Sequence, residues 1–408
     1  MALSDDLNTP PAPKKEVLGK IAHLLERNGI DIDEVGKVTR VNVWQGFYKD
    51  DDGQAHTVDM AGLSFSPAWE DGPDWDPVSQ APPVKCSVRP LKGLQKPEGW
   101  QTAVIVPDAQ IGYYRDAEGE LVSTHDEDAI SLCMSMIRDL NPEVVVCVGD
   151  MLDAPEFGKY RLSPAYAQTT QASINRAATF AAELRACAPD AEIVWLEGNH
   201  EFRIGAASLD NLKAAFGLKR GNDNHGLPVL SVPFLCRFDD ANIRYVPGYP
   251  AGTYWINEKL KVIHGNRVKS NGSTAHAYLA NEKCSVIYGH IHRREWAERT
   301  RNDYDGAKTI MAATPGCLAK TNGAVPSTRG GHDIEGRPLI SDGLEDWQQG
   351  AAVVTFQPGD GNFFYEQIAI HNAQAWFRGK LYSVGDAYPP NVLSLRRGMA
   401  CEHRPKVP

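Results

Sequence analysis

No apolar run in this chain approaches the length that crosses a bilayer, and the opening residues MALSDDLNTPPAPKK lack the apolar core of a signal peptide. No membrane partner is therefore expected. No Cys-x-x-Cys pair occurs either: Cys86, Cys133, Cys147, Cys187, Cys236, Cys284, Cys317 and Cys401 are scattered. Isolated thiols, two of them in an apolar helix and an apolar strand, point to a reducing cytoplasm. Nor is there an excess of positive charge. Against 52 Asp and Glu stand 42 Lys and Arg, a formal charge of −10. That balance argues against a protein that coats duplex DNA, because such binding rests on cations neutralising phosphates. It leaves room for a nucleic-acid substrate held at one local cationic site, since bound metals add charge that the formula omits. Internal repeats are absent.

What the chain does have is size and soluble composition. Its 408 residues exceed one typical domain, with 42% hydrophobic residues and a mean hydropathy of −0.37. A catalytic domain with an appendage is expected. Residues 1–13 are polar, Pro-rich and expected to be disordered. Residues 14–65 read as a small α+β module. Val17, Ile21, Leu24 and Leu25 share one face of a helix over Lys14–Arg27, and Lys37–Tyr48 and Thr57–Phe65 flank an Asp-Gly turn as a β-hairpin. The module could be a recognition unit resembling a winged helix or a packing appendage. Residues 66–100 carry seven prolines and an acidic cluster, the composition of a linker.

The rest of the chain is organised by apolar runs that each end in polar, metal-binding side chains. Thr102–Val106 ends in Pro107-Asp108-Ala109-Gln110, and Val144–Val148 in Gly149-Asp150 with Asp153 just beyond. Ile193–Leu196 leads to Gly198-Asn199-His200-Glu201, Leu260–Ile263 to His264-Gly265, and Ser285–Tyr288 to Gly289-His290-Ile291-His292. Short apolar runs bounded by glycine read as buried strands, and open α/β sheets place their sites at strand carboxyl ends. Asp, Asn, Gln and His bind metals of borderline hardness. The pattern predicts a dinuclear metal site written across one sheet. Between the strands, helices are expected over Asp126–Leu140, capped by a Thr124/Glu127 box, and over Ala165–Ala188 and Thr274–Glu282. Strands separated by helices should be parallel. After His292, short strands are expected at Glu295–Thr300, Lys308–Ala313, Ala351–Gln357 and Asn362–Ile370. The Gly-rich segment 316–347 reads as a substrate lid, and 373–408 as a surface tail.

The ordered set D-x-Q, GDxxD, GNHE, HG, GHxH resembles the calcineurin-like metallophosphoesterase superfamily, whose pattern is D-x-H, GDxxD, GNH[DE], H, GHxH. The likeness covers roughly residues 100–315, within a domain expected over 101–372. It implies an α/β fold, a β-sandwich flanked by helices, here with the small amino-terminal helix-plus-hairpin appendage. By position, Asp108, Gln110 and His292 would hold the first of two divalent ions, Asp150 would bridge, and Asn199, His264 and His290 would hold the second. Manganese is the first expectation, with zinc, iron or magnesium as alternatives. Two ions roughly 3.5–4 Å apart need a shared carboxylate, and a bridging hydroxide is then the nucleophile. The resemblance makes His200 the acid for the leaving oxygen and Asp153 its orienting partner; a helix N-cap is the other reading of Asp153.

Gln110 departs from the family, where histidine is usual. Its amide oxygen is neutral and harder than imidazole, so a weaker, exchangeable first site is expected. The alternative is that Gln110 turns away and one metal suffices. Arg203 could clamp a substrate phosphate or sit in a surface ion pair. Arg293, Arg294, Arg299 and Arg301 are either a backbone contact for nucleic acid or a solvated strand edge. Trp347 and Tyr113 could stack on a base or simply pack. His276 is expected to face outward. Asp153 is followed by Ala154-Pro155, not by the Asp-Arg-Gly continuation of protein Ser/Thr phosphatases. The set looks closer to the nuclease and nucleotide-phosphodiesterase branches, including DNA-repair nucleases and related proteins carried by phages. A phosphodiesterase or nuclease acting on nucleotides or nucleic acid is expected, in the cytoplasm (the host's, if phage-encoded). The alternatives are a phosphomonoesterase and a binding or scaffold member of weak activity.

Overall fold

A computed structural model describes residues 19, 22–23, 25–27, 29, 31, 35–67, 98–116, 118–158, 164–223, 226–304, 306–321 and 345–384. The chain divides into two units, Met1–Pro77 and Val78–Pro408. In the first, β1 (Val35–Lys49) and β2 (Ala55–Pro67) pair antiparallel. Their turn forms because the Asp50 carboxylate accepts the N–H groups of Asp52 (3.2 Å) and Gln54 (2.8 Å) while Gly53 takes φ +77°. The described residues between 19 and 27 are helical, with Leu25 buried. The expected disordered start (1–13), nearly all of the linker (66–100), the lid between 321 and 345, and the tail beyond 384 lie outside the described residues.

The second unit opens with β3 (Gln101–Val106) and a small ribbon of β4 (Tyr113–Arg115) and β5 (Leu121–Ser123). Helix α1 (Glu127–Leu140) leads to β6 (Val144–Cys147), and α2 (Thr170–Cys187) to β7 (Glu192–Leu196). After α3 (Asn199–Asn211) come β8 (Ile243–Val246), β9 (Thr253–Asn257) and β10 (Leu260–Ile263). Then follow α4 (Thr274–Asn281), β11 (Ser285–Tyr288), β12 (Arg294–Asp303) and β13 (Gly306–Pro315). The last four are β14 (Gly350–Phe356), β15 (Phe363–His371), β16 (Gln374–Phe377) and β17 (Lys380–Ser383).

These strands form two main sheets. One runs β17-β16-β15-β14-β3-β6-β7-β8, the other β12-β13-β11-β10-β9. As the intervening helices require, β3, β6, β7 and β8 are mutually parallel, and so are β10 and β11; β13 also runs parallel to β11, reached through the antiparallel β12. Period-two alternation explains the layering. Ala103, Ile105, Val146, Val194 and Val354 of the first sheet point between the two and meet Val262, Ile287 and Met311 of the other. Their neighbours Val104, Val106, Val145 and Trp195 point the other way, against Ile130, Cys133, Phe180 and Leu184 of α1 and α2. On the far face of the second sheet, Ile263, Val286 and Tyr288 pack on Ala275, Tyr278 and Leu279 of α4. The result is mixed α/β, two sheets face to face with helices outside both. Strands buried on both faces have to be apolar throughout, which is why the runs look continuous in sequence.

Four expectations need correction. The five motif-bearing strands do not share a sheet; β3, β6 and β7 lie in one and β10 and β11 in the other. Helix α1 is capped by Asp126, whose carboxylate accepts from Asp128 N (2.9 Å) and Ala129 N (3.1 Å). Thr124 is held back by its own N–H to Gly112 O (3.0 Å), and its hydroxyl reaches Gln110 O, so no Thr124/Glu127 box forms. The helix expected from Ala165 starts at Thr170, because Pro164–Tyr166 forms a 3-10 turn and Gln168 turns left-handed at φ +57°. The surface tail expected from 373 instead supplies β16 and β17, anchored by buried Ala375, Phe377 and Tyr382.

Candidate metal centre

All five motif-bearing strands end at one place, where the carboxyl edges of the two sheets meet. Asp108 follows β3, Asp150 follows β6, Asn199 and His200 open α3 after β7, His264 follows β10, and His290 and His292 follow β11. Two groups of side chains converge there: Asp150, His264 and His290, and Asp108, Asp150 and His292. Within each group the ligand-capable atoms lie within 4.8 Å of one another. Asp150 belongs to both.

The backbone is bent hard to achieve this. Gln110 (φ +50°), Asp150 (+51°), His290 (+73°) and His292 (+56°) all sit in the left-handed region. Non-glycine residues there cost of order 1–3 kcal/mol each, and such strain clusters where function needs it. Two glycines make the approach possible. A Cβ on Gly149, itself at φ +101°, would fall 2.7 Å from His264 Nδ1, and one on Gly198 would fall 2.2 Å from Asp150 Oδ1.

The contacts prepare the donors for a cation. His264 Nδ1 lies 3.0 Å from Val148 O and donates to it, which turns Nε2 toward Asp150 Oδ2 (3.3 Å) and Asn199 Oδ1 (3.1 Å). An outer hydrogen bond of this kind fixes a ligating imidazole in its tautomer. His290 N donates to Asp108 Oδ1 (2.8 Å), and His292 Nε2 stands 3.4 Å from the same oxygen. Among these donors three buried polar atoms find no hydrogen-bond partner: Asp108 Oδ2, Gln110 Oε1 and His290 Nδ1. A buried unsatisfied group costs about 1–3 kcal/mol. Three of them together, among oxygen and imidazole donors with shared access to Asp150, fit a bound divalent metal.

Titration follows from the crowding. Burial works against the Asp150 charge, but His200 and His264 outweigh it and hold the carboxyl well below the usual carboxylate range. Burial also opposes a proton on His264, yet Asp150 lifts it to about 9. Burial and the neighbouring His264 push His290 down to about 4. Two imidazoles with ring centroids 5.3 Å apart thus differ by several units, because only one of them pairs with the shared carboxylate.

His200 stands beside the metal donors. Its Nδ1 lies 2.9 Å from Asp153 Oδ1 and 2.6 Å from Asp153 O, while Nε2 faces Asp150 Oδ2 at 3.6 Å. Asp153 does not cap a helix; the short turn after it starts from Ala154 with no side-chain cap. Burial depresses His200, but Asp150 and Asp153 prevail and raise it. Arg203 does not reach outward as a clamp. Its guanidinium lies 3.0 Å from both ring nitrogens of His200 and donates to Asp153 O (3.1 Å). In-plane lone pairs on the two nitrogens diverge, so one guanidinium meeting both must lie on the ring face.

The remaining candidates separate. Gln110 turns inward, with Nε2 3.3 Å from Asp150 Oδ2 and from His292 Nε2. Trp347 meets the His292 ring edge-on at 4.3 Å, whereas Tyr113 packs edge-on with His125. Arg293 pairs with Glu295 and Arg301 donates to Leu279 O, so both serve the packing of β12 on α4; His276 is exposed. Tyr249, with its ring 5.7 Å from His264, carried no motif and was not anticipated. Glu201 was legible only as a letter of GNHE, yet it lies behind Asp150 and hydrogen-bonds its backbone N–H. No helix among the described residues is long and apolar enough to cross a membrane. No protein-family model matches the chain, and a search of curated proteins finds no match.

Proposed function

We propose that this protein is a metal-dependent phosphoesterase of the calcineurin-like type, acting on phosphodiesters in nucleotides or nucleic acid. The observation that carries the reading is the pair of Asp/His groups sharing Asp150. Asp108, Gln110, Asp150 and His292 would hold one divalent ion, and Asp150, Asn199, His264 and His290 a second. Bound there, two divalent ions supply positive charge to the phosphoryl oxygens and an activated water as nucleophile.

The chain's own residues supply the rest. Asp153 accepts a hydrogen bond from His200 Nδ1–H and fixes the ring, so that Nε2 presents its proton to the leaving oxygen. Asp150 and Asp153 raise the affinity of His200 for its proton, which favours the acid form. Arg203, packed on the imidazole face, holds the ring from the other side. Because Arg203 is engaged there, it is not free to neutralise the second charge of a monoester, which supports the diester reading.

A panel assay tests the proposal. Metal-free protein resupplied with Mn, Zn or Mg is given bis-p-nitrophenyl phosphate, p-nitrophenyl phosphate, cyclic nucleotides, and single- and double-stranded DNA. Metal-dependent turnover that favours the diesters is expected. Absence of turnover on every member with metal bound would reject the enzyme reading, and preference for the monoester would reject the diester.

A further inference from the structure

Glu201 is neither a metal donor nor placed to move a proton, yet it is 2% exposed and takes five N–H groups. Its Oε2 accepts from Asp150 N (2.9 Å) and Gly198 N (3.0 Å). Its Oε1 accepts from Met151 N (2.8 Å), Leu152 N (3.2 Å) and Trp195 Nε1 (3.2 Å). A glutamate in the first turn of a helix often reaches back to the N-cap N–H, and that local role accounts for the Gly198 bond alone. Three of the other four come from consecutive residues 49 to 51 positions earlier in the chain.

Three successive backbone N–H groups converge on one acceptor only when the chain turns sharply, as it does with Asp150 at φ +51°. The arrangement is reciprocal. Asp150 Oδ1 accepts from His200 N (2.8 Å) while Glu201 accepts from Asp150 N. The loop after β6 and the start of α3 thus each cap the other with a carboxylate. Burial and the nearby Asp150 push the Glu201 carboxyl up, whereas its N–H donors favour the charged form.

We propose that Glu201 is a positioning residue, whose carboxylate holds the left-handed turn that aims Asp150 between the two donor groups. The inference rests on the proposed function for what those donors bind. Glu201→Gln tests it, because one oxygen becomes an NH₂. In either amide orientation donors face a donor: Asp150 N and Gly198 N, or Met151 N, Leu152 N and Trp195 Nε1. Supporting groups behind metal ligands typically govern affinity by 10–100-fold. Calorimetric titration of the metal-free variant with Mn²⁺, well below its melting temperature, should show roughly that loss. At two equivalents, its electron paramagnetic resonance spectrum should shift from spin-coupled Mn pairs toward isolated ions. A variant with only a lower melting temperature, and with affinity and spectrum unchanged, would overturn the inference.

Hydrogen exchange on the wild-type protein gives a second arm that does not depend on the variant folding. The amides of Asp150, Met151 and Leu152 lie outside every strand but should exchange as slowly as those of β6; exchange at loop rates would overturn the clamp. Wild-type protein that binds Mn²⁺ and hydrolyses no phosphoester defeats the proposed function alone. Wild-type protein that binds no divalent ion defeats both.

Discussion

Asp150→Asn removes the shared negative charge and leaves the side-chain shape almost unchanged. In the metal-free protein its first consequence is for His264, which the carboxylate lifts to about 9 from 3.3 Å away. At an effective dielectric near 20, one charge pair at that distance is worth about 5 kcal/mol, or about 3.7 pKa units. Without the charge His264 should therefore titrate well below 9, because burial is then opposed by the weaker pull of Asp108 and Glu201 alone. The assay is proton–nitrogen NMR of ¹⁵N-histidine-labelled, metal-free protein from pH 4 to 10. A linked consequence follows for metal binding. At pH 7 wild-type His264 carries a proton that an incoming ion must displace, so affinity should rise with pH, by up to about tenfold per unit, until about pH 9. His290, already neutral above about 4, adds no such slope there. In Asp150→Asn the His264 contribution should vanish along with most of the affinity. If His264 still titrates above pH 8 in the variant, Asp150 is not what holds its proton. The electrostatic account of the site would then be wrong.

Three further outcomes are expected. His200→Ala should retain its metals and lose about 10²–10⁴-fold in turnover on poor leaving groups, with a smaller loss on nitrophenyl esters; equal losses on both would remove His200 as the acid. Gln110→His should tighten the weaker of two metal-binding steps and move its preference toward Zn, as read by competitive titration; unchanged steps would place the amide outside the coordination shell. Arg176→Met should destabilise the fold by about 3–5 kcal/mol in urea titration while leaving metal affinity intact. Arg176 joins Glu127 (2.7 Å) to the buried Glu183 (3.1 Å), and its loss removes both contacts at once.

The elements nearest the chemistry were the most legible in the sequence, and for a physical reason. A strand such as Val144–Cys147, buried on both faces, must be apolar throughout, and the turn after it must admit Gly149 beside His264. Both demands are local and leave a local mark. The division of the five strands between two sheets leaves none, because a strand buried on both faces gives no sign of which layer lies on which side. Asp126 displaced Thr124 as the cap of α1 through a contact between Thr124 and Gly112, which no helix signal encodes. The clamp made by Glu201 and the placement of Tyr249 likewise depend on segments that meet only in the folded chain. The strands β16 and β17 were missed because four-residue strands with one or two buried anchors resemble a turn-rich tail.

The placement of the donors across two sheets has a mechanical consequence. Each candidate group draws from both layers, since Asp108 and Asp150 follow strands of one sheet and His264, His290 and His292 follow strands of the other. An ion held there is a cross-link between the layers, joining positions as far apart as Asp108 and His292, 184 residues on (292 − 108). Closing so long a loop constrains the unfolded chain in the way a disulfide does, in a protein whose described cysteines are all free. At a thousandfold excess over its dissociation constant, each ion would stabilise the folded form by about 4 kcal/mol. The resistance of the sandwich to prising apart would then be set by the supply of metal in its surroundings, and a chelator would act on it as a reductant acts on a bridged protein.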